Sequence, residues 1–126
     1  MNFPEHLKYT NEHEWIHIEG NVGVVGITEY AQGELGDVVF VELPAVGKQF
    51  KQGDTFGTVE AVKAVSDLFA PISGEVLEVN AQLEKTPELV NKEPYGGGWM
   101  VKFSIGNNGE LSSLLTAQQY REQIGK

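Results

Sequence analysis

The run from Gly57 to Gly74 constrains this chain most: Gly-Thr-Val-Glu-Ala-Val-Lys-Ala-Val-Ser-Asp-Leu-Phe-Ala-Pro-Ile-Ser-Gly, with one lysine, Lys63, in its middle. Thr58, Val59, Val62 and Val65 are β-branched and favour extended backbone, because a branched Cβ is less restricted there than against a helical turn. Val59, Ala61, Leu68 and Ile72 supply apolar positions, and Pro71 to Gly74 reads as a closing turn. The pattern predicts two strands joined by a turn near Lys63. Glu60, Ala61 and Ala64 stand close to the lysine, with Ser66-Asp67 just beyond. On the residues alone two readings of Lys63 stand: an ordinary surface lysine, or one held at a hairpin tip, exposed on all sides, for a modifying enzyme to reach. Amide formation on its ε-amine would lengthen the side chain into a swinging arm and remove one positive charge.

The flanks are read as mostly β. Leu7 to Thr10 is extended, and Glu14–Glu19 and Val22–Ile27 form a hairpin around Gly20-Asn21. Thr28 caps a short helix that begins at Glu29 and stops at Gly36. Asp37–Leu43 is a strand ended by Pro44, and Glu75–Asn80 is another. Gly36–Val41 and Gly74–Val79 share the pattern Gly, acid, Val, aliphatic, any, Val. Two such half-units facing each other would make a small two-sheet barrel or sandwich. Pro87 to Pro94 reads as a polar loop, Gly96-Gly97-Gly98 as a turn and Met100–Ile105 as a strand. Leu111, Leu114, Leu115, Tyr120 and Ile124 keep roughly helical spacing, with Thr116 as a cap for a final helix. A length of 126 residues at 40% hydrophobic composition fits one domain over 1–126.

A net charge of −9 repels nucleic-acid phosphates and anionic lipid, so neither is an expected partner. The chain has no cysteine, hence no thiol nucleophile and no disulfide, and any sulfur chemistry must be attached to it. Met1 to Glu5 lacks the character of a signal or transit peptide, which makes a cytoplasmic protein the expectation and a processed mitochondrial form the lesser one.

His13-Glu14-Trp15-Ile16-His17 fits the H-E-x-x-H pattern of zinc peptidases, which works only on a helix. The flanking residues argue for a strand, where residues four apart lie about 13 Å from each other, too far to share a zinc ion. The triple glycine has no Lys-Ser or Lys-Thr after it, so it is not a phosphate loop. His6, His13 and His17 lie together near the N-terminus with no nucleophile elbow elsewhere, and no catalytic residue is assigned. The expectation is a protein that is not an enzyme.

Taken in order, His13-Glu14-Trp15, Gly26-Ile27-Thr28, Ala31-Gln32, Leu35 to Pro44, Val59 to Ala64, Ser66-Asp67, Pro71 to Val76, Leu89-Val90-Asn91, Pro94-Tyr95-Gly96 and Gly98-Trp99 resemble the H proteins of the glycine cleavage system over nearly the whole chain. Ala61 and Phe69 depart from the Ser and Tyr frequent at those places. The resemblance implies a barrel-sandwich hybrid of two antiparallel sheets, of the lipoyl and biotinyl carrier type, with short helices in the N-terminal half and at the C-terminus. It implies lipoate in amide linkage to Lys63. It also implies a monomeric carrier that serves a pyridoxal-phosphate glycine decarboxylase, a folate-dependent aminomethyltransferase, a flavin-dependent dihydrolipoyl dehydrogenase and the enzymes that attach lipoate.

The aminomethyl cargo carries a protonatable amine, which points to acids near the hairpin as its holders: Glu12, Glu14 and Asp67, with Glu34 beside them, or else these are plain surface acids. The competing uses of such a fold are a lipoate relay, a lipoyl domain of a 2-oxo-acid dehydrogenase and a biotin carrier. Those dehydrogenase domains resemble Asp-Lys-Ala and biotin carriers Met-Lys-Met, whereas this chain has Val62-Lys63-Ala64.

Overall fold

A computed structural model describes residues 1–126. Alternation of inward and outward side chains sets its strands. In β2 (Glu14–Glu19) and β3 (Val22–Ile27) the register runs from Glu14 opposite Ile27 to Glu19 opposite Val22, which leaves Gly20-Asn21 as a two-residue turn. On one side β1 (Lys8–Tyr9) pairs with β2. On the other, β9 (Val101–Ser104) joins β3 to β8 (Gly74–Val79), and β5 (Gln49–Phe50) closes the edge. The order of this six-stranded sheet is β1-β2-β3-β9-β8-β5. A second sheet of three strands has the order β4-β6-β7, from β4 (Val38–Glu42), β6 (Thr55–Ala61) and β7 (Val65–Phe69). Every pairing is antiparallel.

The core lies between the sheets. Val38, Val41, Phe56, Val59, Ala61 and Leu68 of the small sheet pack in one buried cluster with Ile16, Val25, Val76, Val101 and Phe103 of the large one. Each buried valine, isoleucine, leucine or phenylalanine among them contributes about 1.5–3 kcal/mol, so together they outweigh any single polar contact. The glycines bounding the central run are there for space: a Cβ on Gly57 would meet the Glu42 carbonyl oxygen, and one on Gly74 the Ser104 carbonyl oxygen. Gly36–Val41 and Gly74–Val79 fall in different sheets, one supplying β4 and the other β8.

Four short helices decorate this frame: α1 (Glu29–Leu35), α2 (Gln82–Lys85), α3 (Leu89–Lys92) and α4 (Ala117–Ile124). Thr28 caps α1 as expected, its hydroxyl accepting from the Ala31 amide, and Gly36 ends it. Thr116 and Gln119 form a capping box on α4, which covers a second buried cluster of Phe3, Leu7, Tyr9, Trp15, Ala117 and Tyr120. The expected loop at 87–94 is corrected: Leu89–Lys92 is helical, because buried Val90 anchors it to the core. The triple glycine is a turn, held by the Asn80 side-chain amide donating to the carbonyls of Gly97 and Trp99 at 2.8 and 2.7 Å. No helix is long and apolar enough to cross a membrane.

Candidate functional site

Lys63 sits where β6 and β7 meet. Glu60 pairs with Val65, the Ala61 amide donates to the Ala64 carbonyl at 2.8 Å, and Val62-Lys63 form a two-residue tip. Neither tip residue has a positive φ, whereas tight hairpins normally use turns that need one to match the strand twist. An anchor outside the hairpin compensates: the Val62 amide donates to the Asp37 carbonyl at 2.9 Å.

Asp37 is itself fixed through Asn91 on α3. The Asn91 side-chain amide donates to the Gly36 carbonyl at 2.9 Å and to Gln32 Oε1 at 2.8 Å, and its Oδ1 accepts from the Val38 amide at 2.8 Å. Gly36 has φ 82, a left-handed value that favours glycine. A Cβ there would stand 3.4–3.5 Å from Cγ, Cδ and Cε of Lys63, so the lysine stem lies over Gly36. This corrects the expectation of a lysine exposed on all sides. Of the two small residues beside Lys63, Ala61 is buried in the core, in keeping with its apolar position, while Ala64 is exposed.

Beyond Gly36 a cleft of about 280 Å³ opens between α1 and β7. Tyr30, Ala31, Glu34 and Leu35 form one wall, Ser66, Asp67 and Leu68 the other, and Glu12, His13 and Glu14 close the end. All four acids singled out in the sequence, Glu12, Glu14, Glu34 and Asp67, therefore line one cavity. They differ in burial. Glu14 is 1% exposed, whereas Glu12 and Asp67 are exposed to solvent.

Glu14 accepts from the Thr10 hydroxyl at 2.6 Å and from the Phe69 amide at 3.1 Å. Burial pushes its carboxyl up to about 7, although both hydrogen bonds favour the charged form and pull the other way. Thr10 Oγ1 also accepts the amides of Glu12 and Glu14, folding 10–14 into a tight turn. That turn places His13 at φ 73, a left-handed conformation that costs a non-glycine residue about 1–3 kcal/mol.

The His13 ring lies in the cleft end, 5.2 Å from the Tyr30 ring, with Nδ1 2.8 Å from the Tyr120 hydroxyl. Burial lowers its pKa, against the opposing pull of Glu12 and Glu34. The Tyr120 hydroxyl is also 2.8 Å from Thr28 Oγ1, so the cap of α1, the final helix and the cleft form one network. His13 precedes the strand rather than sharing its face with His17, which packs against His6 at 5.2 Å. The two histidines of the H-E-x-x-H match thus look into different surroundings.

Sequence reasoning missed the parts of the site that act through others. Tyr30 had no signal, His13 stood only in the H-E-x-x-H match and a family motif, Asn91 only within a family motif, and Ser66 only as a neighbour of Asp67 in the run after Lys63.

A cysteine-free, two-sheet β fold that holds one lysine on an anchored hairpin tip, with an acidic cleft between α1 and the β7 arm of the same hairpin, defines a carrier of the lipoyl and biotinyl type. Three comparisons narrow this class. The model of the glycine cleavage H-protein family matches residues 7–126. The glycine cleavage system H protein of Staphylococcus saprophyticus is 56% identical over 126 residues, covering 100% of both chains. The crystal structure of a glycine cleavage system H protein from Mycobacterium marinum superposes with a TM-score of 0.87 at 41% identity, covering 98% of this chain and 100% of that one. The chain belongs to the glycine cleavage H-protein family. Its role is that of a lipoyl carrier in the glycine cleavage system, a carrier and not a catalyst.

Proposed function

We propose that Lys63 is the residue that carries lipoate, and that residues 1–126 act as one monomeric carrier domain in the cytoplasm. The carrying observation is the tip itself: a lysine whose stem is laid over Gly36 and whose backbone is fixed through Asp37 and Asn91. Lipoate fits this place, because Lys63 is exposed at the tip while its stem rests against Gly36, the residue that follows the α1 wall of the cleft. Bound there, lipoate supplies the disulfide and dithiol chemistry that a chain without cysteine lacks. The chain's own part is to present and to shelter. In this reading the partners are the pyridoxal-phosphate glycine decarboxylase, the folate-dependent aminomethyltransferase, the flavin-dependent dihydrolipoyl dehydrogenase and the lipoate-attaching enzymes.

The acids have separate duties in it. Asp67 and Glu12 at the cleft rim, with Glu34 on α1, attract a cationic aminomethyl cargo. Glu14 receives it: a buried carboxyl raised to about 7 ionises when an ammonium arrives beside it, since the new opposite charge offsets desolvation.

The test is intact-mass measurement of wild type and Lys63→Arg after incubation with a lipoate ligase, ATP and lipoate. Wild type gains the mass of one lipoyl group and the variant gains none. Modification of the variant to the same extent overturns the assignment of Lys63.

A further inference from the structure

Apart from Asp67 at its β7 edge, the outer face of the three-stranded sheet is not used by the carrier site, and its side chains are ordered by register. Phe40 on β4 lies opposite Glu60 on β6, which lies opposite Val65 on β7. One step away from the tip, Glu42 lies opposite Thr58, and Thr58 opposite Asp67. Beside Lys63 the face is therefore a row of two apolar side chains, Phe40 and Val65, flanking Glu60, with Val62 at the turn, and behind it runs a row with acids at both ends. The apolar side chains are left in water: Val62 is 72% exposed, Val65 66% and Phe40 50%, with Val39 beside them at 51%. Four of the chain's seven exposed large hydrophobics thus gather at the end of the sheet that holds Lys63.

We propose that this face is the docking surface for the enzyme that acylates Lys63, a partner with an apolar seat rimmed by lysine or arginine. The proposal rests on Lys63 being the attachment site. Reach selects this partner among those the carrier serves. An unmodified lysine has only its four-carbon stem, and here that stem is laid on Gly36, so an acylating enzyme must press its active site against the hairpin. Enzymes that meet the finished arm have its added length and can engage the body elsewhere.

Charge agrees with this choice: Glu42, Glu60 and Asp67 on the face, with a net charge of −9 behind them, favour a basic rim and speed its approach. A strip of a few side chains covers less than the about 800 Å² per partner of a standard stable interface, which gives the short-lived complex that a modification step needs. In that step the uncharged ε-amine attacks the carbonyl carbon of lipoyl adenylate. The C–N amide bond forms, the C–O bond to the phosphate breaks, AMP leaves, and one proton from nitrogen passes to solvent.

Steady-state lipoylation by a lipoate ligase with ATP and lipoate, with the carrier as the varied substrate, tests the face. Val65→Glu and Phe40→Ser each raise KM about tenfold, the effect of losing one interface anchor, with kcat within twofold of wild type. Glu60→Lys raises KM as well, and added salt raises KM of the wild type. Leu77→Ser, an exposed apolar residue on β8 of the other sheet, leaves both constants unchanged. Circular dichroism melts within a few degrees of wild type show that the variants are folded; the milder Val65→Ser replaces Val65→Glu if it is not. If wild type is modified on Lys63 and the face variants keep its KM, the docking face is overturned and the carrier reading stands. If wild type takes no lipoate on Lys63, both are overturned.

Discussion

Replacing Glu14 by Gln separates the charge of the buried side chain from its packing. Burial raises the Glu14 carboxyl from its ordinary 4.5 to about 7. Between those values the folded chain binds more protons than the unfolded one. The contribution of this group to stability is therefore fully present below about pH 4.5 and is lost as pH rises through 7. At about 1.4 kcal/mol per pH unit of separation, the loss by pH 8 is on the order of 3 kcal/mol. Gln stays neutral and escapes that loss. It has one side-chain oxygen where Glu14 has two, so it can accept from Thr10 or from Phe69 but not from both, which costs about 1 kcal/mol.

Glu14→Gln is thus more stable than wild type by about 2 kcal/mol at pH 8 and less stable by about 1 kcal/mol near pH 4. Urea unfolding followed by the fluorescence of Trp15 and Trp99, at pH steps from 4 to 8, measures the difference directly. A difference between the two proteins that stays constant with pH refutes the raised carboxyl and, with it, the view of Glu14 as a group waiting for a cation.

Asn91→Ala removes the bonds to the Gly36 carbonyl, the Val38 amide and the Gln32 side chain and leaves the two backbone groups without those partners, which costs about 2–4 kcal/mol in urea unfolding. Hydrogen exchange of the Val62 amide, bonded to Asp37, quickens in that variant more than exchange in β2 and β3, because the tip loses its anchor first. Gly36→Val forces a branched side chain into a left-handed φ and against the Lys63 stem, so the initial rate of lipoylation falls at least several-fold while far-UV circular dichroism stays β-like. Thr116→Ala breaks the capping box of α4 and costs about 1 kcal/mol, read as a lower urea midpoint at unchanged slope.

The strands, the first helix with its Thr28 cap and Gly36 stop, and the hairpin around Lys63 were legible because each rests on neighbours in sequence: alternation, β-branching and turn residues. The helix at Leu89–Lys92 was not, since its four residues carry no period and it is held by the burial of Val90 against elements far away in sequence. The two-residue strand β5 is likewise created by its partner: Gln49 and Phe50 pair with Glu75 and Gly74.

The site divides the same way. Lys63 and the four acids could be named from residue type and local setting. That the acids share a cavity depends on α1, β7 and the 10–14 turn meeting, and the left-handed His13 depends on Thr10 Oγ1 gathering the surrounding amides. The Lys63 stem on Gly36 is a contact between residues 27 apart in the chain, which no local pattern announces.

In the proposed function one lysine at an anchored tip carries the chemistry of a chain that has no thiol of its own. Glycine-dependent release of carbon dioxide by a glycine decarboxylase, with this chain as the only acceptor, tests it most directly. Lipoylated wild type supports release, while the unmodified chain and Lys63→Arg put through the same lipoylation do not. Release with Lys63→Arg at the wild-type rate would mean that Lys63 does not carry the lipoyl arm.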